Sequence, residues 1–199
     1  MAPVTQALLL ANIAVYLLQT VAEPLLVAYF ALWPLHTEAG FDSGAFAPWQ
    51  LVTYSFLHGN LMHLLFNMLA LYMFGSDIER VFGSRRYALY YLACVVSAGL
   101  AQIIVSAVGN WPAYPTVGAS GGVFGLLLAF GLYFPRRMVM LIFPPIPMPA
   151  WLFVTLYGLL ELYLGVTGTQ QGVAHFAHLG GMLGGYLVIR SWRSRSRYL

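Results

Sequence analysis

Six apolar runs, each near the length that crosses a bilayer, fill most of this 199-residue chain and leave little room for a soluble fold. A spanning helix needs about 20 mostly apolar residues. The runs cover 5–30, 57–76, 86–107, 118–134, 149–167 and 172–190. Only 8% of the residues are charged, against about 25% in an ordinary soluble domain. The expected fold class is an all-α membrane protein with six transmembrane helices.

Prolines separate the fourth run from the fifth. Phe134-Pro135-Arg136-Arg137 and Pro144-Pro145-Ile146-Pro147-Met148-Pro149 forbid a continuous helix, because each ring removes a donor and clashes with the preceding turn. The stretch 31–56 is too mixed to span: Pro34, His36, Glu38, Asp42 and Pro48 interrupt it, with Trp33 and Trp49 among them. It reads as a long interfacial loop or re-entrant hairpin, since irregular backbone survives at membrane depth only where protein or water satisfies it.

All nine basic residues are arginines, and they make the net charge of +3 a topology signal rather than a nucleic-acid footprint. Arg80, Arg85 and Arg86 follow run two; Arg136 and Arg137 follow run four; Arg190, Arg193, Arg195 and Arg197 follow run six. With six spans these places share one side, so the positive-inside rule predicts that both termini are cytosolic. Glu23, Glu38 and Asp42 then fall outside. One transmembrane domain over 1–199 is expected, with a core of about 49–190 and a short basic cytosolic tail, 191–199. No basic leader with a small-residue cleavage site precedes run one, which is expected to be retained. The single cysteine, Cys94, excludes a disulfide within the chain.

Polar and ionisable residues at membrane depth are costly and mark function by default. Ser120 opens run four in Gly118-Ala119-Ser120-Gly121, and His178 lies near the start of run six in Ala177-His178-Leu179-Gly180-Gly181. Both runs pass from outside to inside, so at 1.5 Å per residue both side chains lie within about 10 Å of the outer end. Run two runs the same way and carries His58, His63 and Asn67 in its outer half. His63 and Asn67, four apart, share a helical face. A serine alone among small residues is usually a packing residue in a membrane helix. Its match in depth with His178, His63 and Asn67 points instead to an activated hydroxyl. His178 would take the serine proton and return it to the leaving amine. Ser120 at a helix N-terminus has free N–H groups and the positive dipole end beside it. Preorganised donors to an oxyanion there are worth about 3–4 kcal/mol each.

His58-Gly59-Asn60-Leu61-Met62-His63-Leu64-Leu65-Phe66-Asn67, then Gly118-Ala119-Ser120-Gly121, then Ala177-His178 with Gly181 and Gly185, resembles the rhomboid family of intramembrane serine proteases. The likeness runs from about Trp49 to about Tyr186, in order and at similar spacing. It implies a six-helix rhomboid-like bundle, a Ser120–His178 dyad, and an oxyanion site of His63, Asn67 and the Ser120 backbone N–H next to Gly118. Gly121, Gly181 and Gly185 fall to close helix packing, with Gly181 and Gly185 pressing run six against run four. Phe124 would pack on His178, where some members of the family have Tyr. His58 is read as a structural hydrogen-bonding histidine. Gly75-x-x-x-Glu79-x-x-x-Gly83 matches the end of the family's second helix and reads as structural. Gln50 follows Trp49 where the family often has Arg, a departure that touches the anchoring of the outer loop and not the chemistry. The implied substrates are transmembrane proteins, met in the lipid bilayer and cut near the outer end of a helix. The implied location is a cell membrane, the prokaryotic plasma membrane, with the site open to the outer or periplasmic side. No cofactor, metal or nucleic acid is expected, and the oligomeric state stays open.

A third catalytic member is hard to place. Asp77 and Glu79 are at the inner end, and Glu161 is the only acid at suitable depth, in the outer half of run five. The expectation is a dyad, with His178 oriented by packing and Glu161 turned to protein or outer water. His175 lies three residues before His178, which is preferred as base because glycines follow it. A metal protease using His58, His63, His175 and His178 lacks a His-Glu-x-x-His motif and an acid beside these histidines. A catalytically inactive rhomboid-like protein that binds or escorts membrane proteins would be expected to lack Ser120 or His178. A transporter would be expected to show internal repeats or paired broken helices. Run five, with few small residues, is the expected movable wall, its Trp151, Phe153 and Tyr157 meeting Phe66 and Tyr72 of run two.

Overall fold

A computed structural model of the chain describes residues 1–35, 44–109, 114–140, 145–168 and 174–195. Helix α1 is Pro3–Phe30; α2, Gln50–Thr53, continues into a 3-10 turn, Tyr54–Phe56. Helix α3, Leu61–Ala70, runs through a π turn, Leu71–Gly75, into α4, Ser76–Phe82. Then come α5, Ser84–Gly109; α6, Ser120–Tyr133; a hairpin of β1, Met138–Met140, and β2, Pro147–Pro149; α7, Ala150–Thr167; and α8, His175–Arg195. His36, Glu38, Asp42, Pro144 and Arg197 lie outside the described residues.

The chain is mostly helical, in keeping with an all-α membrane fold. Among the described residues four helices are long and apolar enough to cross a membrane: Pro3–Phe30, Leu61–Phe82, Ser84–Val108 and Ala150–Thr167. The fourth and sixth runs correspond to α6, of 14 residues, and α8, of 21. At 1.5 Å per residue α6 is about 21 Å long, short of a hydrocarbon core of about 30 Å. Its surroundings account for this. Nearly all of α6 from Gly121 to Gly131 is buried, between α5, α7 and α8. A helix that is apolar all round belongs inside a bundle, and one enclosed by protein need not reach both lipid interfaces.

Close approach of α6 and α8 to α5 depends on small residues. A side chain at Gly125 would collide with Cys94, at Gly180 with Ala101, and at Gly184 with Ser97. Two hydrogen bonds tie the three helices where they touch: Tyr90 Oη donates to the Gly125 carbonyl at 2.7 Å and Ser97 Oγ to that of Gly180 at 2.8 Å.

The other elements frame this centre. Helix α1 starts with Pro3 in its first turn, where the missing N–H is harmless, and bends near Pro24, with Ala22 outside helical dihedrals (φ −138°, ψ 31°). Its N-terminus is stapled by Glu79, whose carboxylate accepts from Val4 N (3.0 Å), Thr5 N (2.8 Å), Thr5 Oγ1 (2.8 Å) and Ser84 Oγ (2.7 Å). A side chain at Gly75 would meet Thr5 and the Tyr87 hydroxyl, both at 2.8 Å. Gly83 ends α4 at φ +75°, a conformation that favours glycine.

Several details depart from the sequence expectation. Pro147–Pro149 of the proline-rich segment pairs antiparallel with Met138–Met140, Met138 opposite Pro149 and Met140 opposite Pro147. Prolines are tolerated there because an edge strand leaves N–H positions unpaired. Gln50, standing where arginine is frequent in the family, anchors the segment after α1. It is buried, its Oε1 accepts from Trp33 N at 3.2 Å, and its Nε2 donates to the carbonyls of Tyr29 (3.3 Å) and Ala45 (3.0 Å). Residues 191–195 belong to α8. The expected meeting of α7 with run two is not formed by the residues named for it: Phe66, Tyr72 and Trp151 are each more than half exposed. Tyr157 stacks instead on Phe124 of α6, ring centres 5.3 Å apart.

Candidate active site

The loop before α6 sets Ser120 in place. Gly118 adopts φ +128°, a conformation closed to most side chains, and its N–H donates to the Tyr54 carbonyl at 3.0 Å. The chain then turns through Ala119 into α6, with Ser120 as its first residue and no side-chain cap on the first turn. The opening N–H groups of a helix have no partner within it, so they and the dipole favour negative charge at this point.

His178 stands in the first turn of α8. Its Nε2 lies 2.8 Å from Ser120 Oγ. The imidazole stacks flat on Phe124, one turn after Ser120, with ring centres 4.3 Å apart and planes 6° apart. The spacing of the two helices is set where Gly181 faces the backbone of Gly121, with no room for a Cβ on either. Gly185 does not face α6 as expected: a side chain there would strike Tyr90 of α5.

The groups of run two come to the same place. Asn60 caps α3, its Oδ1 accepting from His63 N at 2.8 Å. The His63 ring edge covers Gly118: a Cβ there would lie 2.7 Å from both Nε2 and Cε1 of His63, and 3.6 Å from Ser120 Oγ. Asn67 is buried and donates from Nδ2 to the His63 carbonyl at 2.9 Å, a bond that leaves its second amide hydrogen available. His58 is buried and held through its backbone, its N–H donating to Gln19 Oε1 (3.0 Å) and its carbonyl accepting from Gln19 Nε2 (2.8 Å). Neither of its ring nitrogens has a partner among the described residues. The hydrogen bonds that hold His58 to α1 are made by its main chain.

Glu161 corrects the expectation that no acid stands beside these histidines. It projects from α7, is 6% exposed, and places Oε2 2.8 Å from His178 Nδ1 and 2.7 Å from His175 Nδ1. His178 is therefore flanked by Ser120 on one ring nitrogen and a carboxylate on the other. A sequence signal did exist. Glu161 is an intramembrane acid, which requires a partner, and His175 and His178 are three apart on one helical face. No local motif joins them because the acid comes from another helix. Glu161, His175 and His178 also offer three ligand atoms within 4.8 Å of one another, a donor set that could hold a metal ion. The two N···O separations, however, are ordinary hydrogen-bond lengths to a single oxygen.

Comparison with known proteins shows the family. The profile of the Rhomboid domain matches residues 45–194. The chain is 31% identical over 142 residues to Rhomboid protease GluP of Bacillus subtilis, covering 70% of this chain and 25% of that protein. It is 36% identical over 148 residues to RHOMBOID-like protein 4 of Arabidopsis thaliana, covering 70% and 33%. It is 25% identical over 197 residues to Rhomboid protease GlpG of Yersinia pestis, covering 98% and 64%. The chain thus spans between a quarter and two thirds of the length of these relatives. With most of its length matched by the domain profile and its polar residues gathered between α3, α6 and α8, this multi-pass membrane protein belongs to the Rhomboid family.

Proposed function

We propose that the chain is a serine endopeptidase that cuts transmembrane segments of membrane proteins near the outer face of the bilayer. The observation that carries this reading is the 2.8 Å contact between His178 Nε2 and Ser120 Oγ at the start of an enclosed helix. Two relatives named rhomboid proteases support it.

In this reading His178 removes the hydroxyl proton as Ser120 Oγ attacks the scissile carbonyl, and the C–N bond breaks as His178 protonates the leaving amine. A water molecule, deprotonated by His178, then releases the acyl group. The oxyanion forms where the Ser120 N–H, His63 and Asn67 converge, in a low-dielectric site that magnifies each donor. A substrate helix must unwind locally first, because its carbonyls are already hydrogen-bonded within it. Cytosolic termini, six spans and an outward-facing site in a prokaryotic plasma membrane complete the proposal.

Purified protein in liposomes, incubated with a single-span substrate, tests the assignment. Cleavage is expected from the wild type and its loss from Ser120→Ala, His178→Ala and the double variant alike, because residues acting as a unit do not add. Activity that survives Ser120→Ala overturns the reading. Substrate bound but left intact by the wild type favours the alternative, an inactive rhomboid-like binding or escort protein.

A further inference from the structure

We propose that Glu161 is a positioning residue for the base, fixing the tautomer of His178 from α7 while His175 holds the carboxylate in place. This rests on the protease reading above and extends it from two helices to three.

Two separate degrees of freedom must be set before His178 can accept the serine proton. One is the plane of the ring, which the stack on Phe124 fixes. The other is which nitrogen carries the hydrogen, and a stack is indifferent to that. Glu161 Oε2, 2.8 Å from Nδ1, decides it. A carboxylate can only accept, so the contact requires Nδ1–H and leaves Nε2 with its lone pair toward Ser120 Oγ. The opposite tautomer would set a bare nitrogen against an anionic oxygen in a buried site, a strongly unfavourable contact. Glu161 also gains value during the reaction. When His178 takes up the serine proton it becomes an imidazolium whose charge is met at once by the adjacent carboxylate, an interaction stronger in the transition state than in the resting enzyme.

His175 answers a second question: what keeps a buried carboxylate aimed. Its Nδ1 lies 2.7 Å from the same Oε2, and the ring is 5% exposed. Its Nε2 has no partner among the described residues, so the bond to Glu161 is the one that its ring makes there. Spaced three apart on α8, the two histidines grip one oxygen from the same side. The cost of burying the carboxylate is offset by two donors.

The test has three arms, all on the 199-residue chain. In the wild type, nitrogen-15 NMR of histidine-labelled protein should show His178 as the Nδ1–H tautomer; an Nε2–H tautomer overturns the proposal without any variant. In Glu161→Gln, kcat on a transmembrane substrate should fall by about 10²–10⁴-fold, as expected when a base loses its orienting carboxylate, with KM little changed. Glu161→Asp should retain more activity than Glu161→Gln, and His175→Ala should fall between the wild type and Glu161→Gln. Wild-type kcat in Glu161→Gln, alongside dead Ser120→Ala and His178→Ala, refutes the proposal and leaves a dyad standing. Activity in Ser120→Ala refutes instead the parent reading. In the third arm EDTA should leave the wild-type rate unchanged. Loss of activity in EDTA with recovery in zinc would make Glu161, His175 and His178 a metal site and overturn the positioning role.

Discussion

His63 and Asn67 sit one turn apart on α3 but are held differently, and this shapes what removing each should do. The His63 ring lies over Gly118, whose positive φ brings the backbone close beneath it. Asn67 is buried with one amide hydrogen committed to the His63 carbonyl. Each offers one donor in a low-dielectric site, so His63→Ala and Asn67→Ala should each lower turnover by about 10–1000-fold. A fluorophosphonate should still label Ser120 in both, since nucleophile and base remain. Unchanged turnover in both variants would remove them from the oxyanion site. The proximity of Ser120 and His178 was legible in the sequence because direction of travel and distance from the helix start fix depth. The contact with Glu161 was not. Depth alone says that Glu161 lies near the right level, but which way it points depends on how α7 is rotated, and an almost uniformly apolar helix carries little periodic signal for that.

Helix α7 is the element in which local pattern and final packing diverge most. Bulky residues and few small ones suggested a movable wall, yet the partner inferred for it was wrong. Phe153 stacks on Tyr157 (5.5 Å), Tyr157 on Phe124 (5.3 Å) and Phe124 on His178 (4.3 Å), so the aromatic ladder runs into α6 and the base. Trp151, 52% exposed, stands off this ladder. Trp151→Ala should therefore change thermal stability by no more than about 0.5 kcal/mol, as for surface substitutions. Phe153→Ala combined with Tyr157→Ala removes stacked pairs worth about 0.5–1.5 kcal/mol each beyond their burial and should lower the melting temperature. If α7 limits lateral access, as gates often limit enzyme rates, the same double variant should cleave a transmembrane substrate faster relative to a short soluble peptide. An equal fall in both activities would mean that the site is distorted and α7 is no gate. The hairpin before α7 escaped the sequence reading for a related reason. Its prolines announce that no helix continues there, but the pairing of Met138 with Pro149 depends on where α6 stops and α7 begins.

Among the described residues Arg80, Arg86, Arg137 and Arg193 collect at one end of the molecule. Arg137 and Arg80 both reach Asp77, at 2.6 and 2.8 Å. Arg193 lies over Tyr133 and Arg86 over Trp192, at 5.3 and 5.8 Å. The Glu79 staple brings the N-terminus of α1 to the same end. Both ends of the described chain thus lie with the arginines, while Ser120 starts the opposite end of α6. Glu79→Ala would strip four hydrogen bonds from this end and leave donors unpaired, each costing about 1–3 kcal/mol where buried. It should unfold at clearly lower temperature, and unchanged melting would show that the staple holds nothing. Orientation in the bilayer can be read with the chain's own chemistry. The single cysteine, Cys94, is fully buried, so a cysteine placed elsewhere should report alone. Leu35 and Met138 are both 59% exposed and lie in segments assigned to opposite sides. A membrane-impermeant maleimide added to intact cells should label Leu35→Cys and spare Met138→Cys until the membrane is permeabilised. The reverse pattern would place the arginines outside, against the charge rule, and turn the proposed site toward the cytosol.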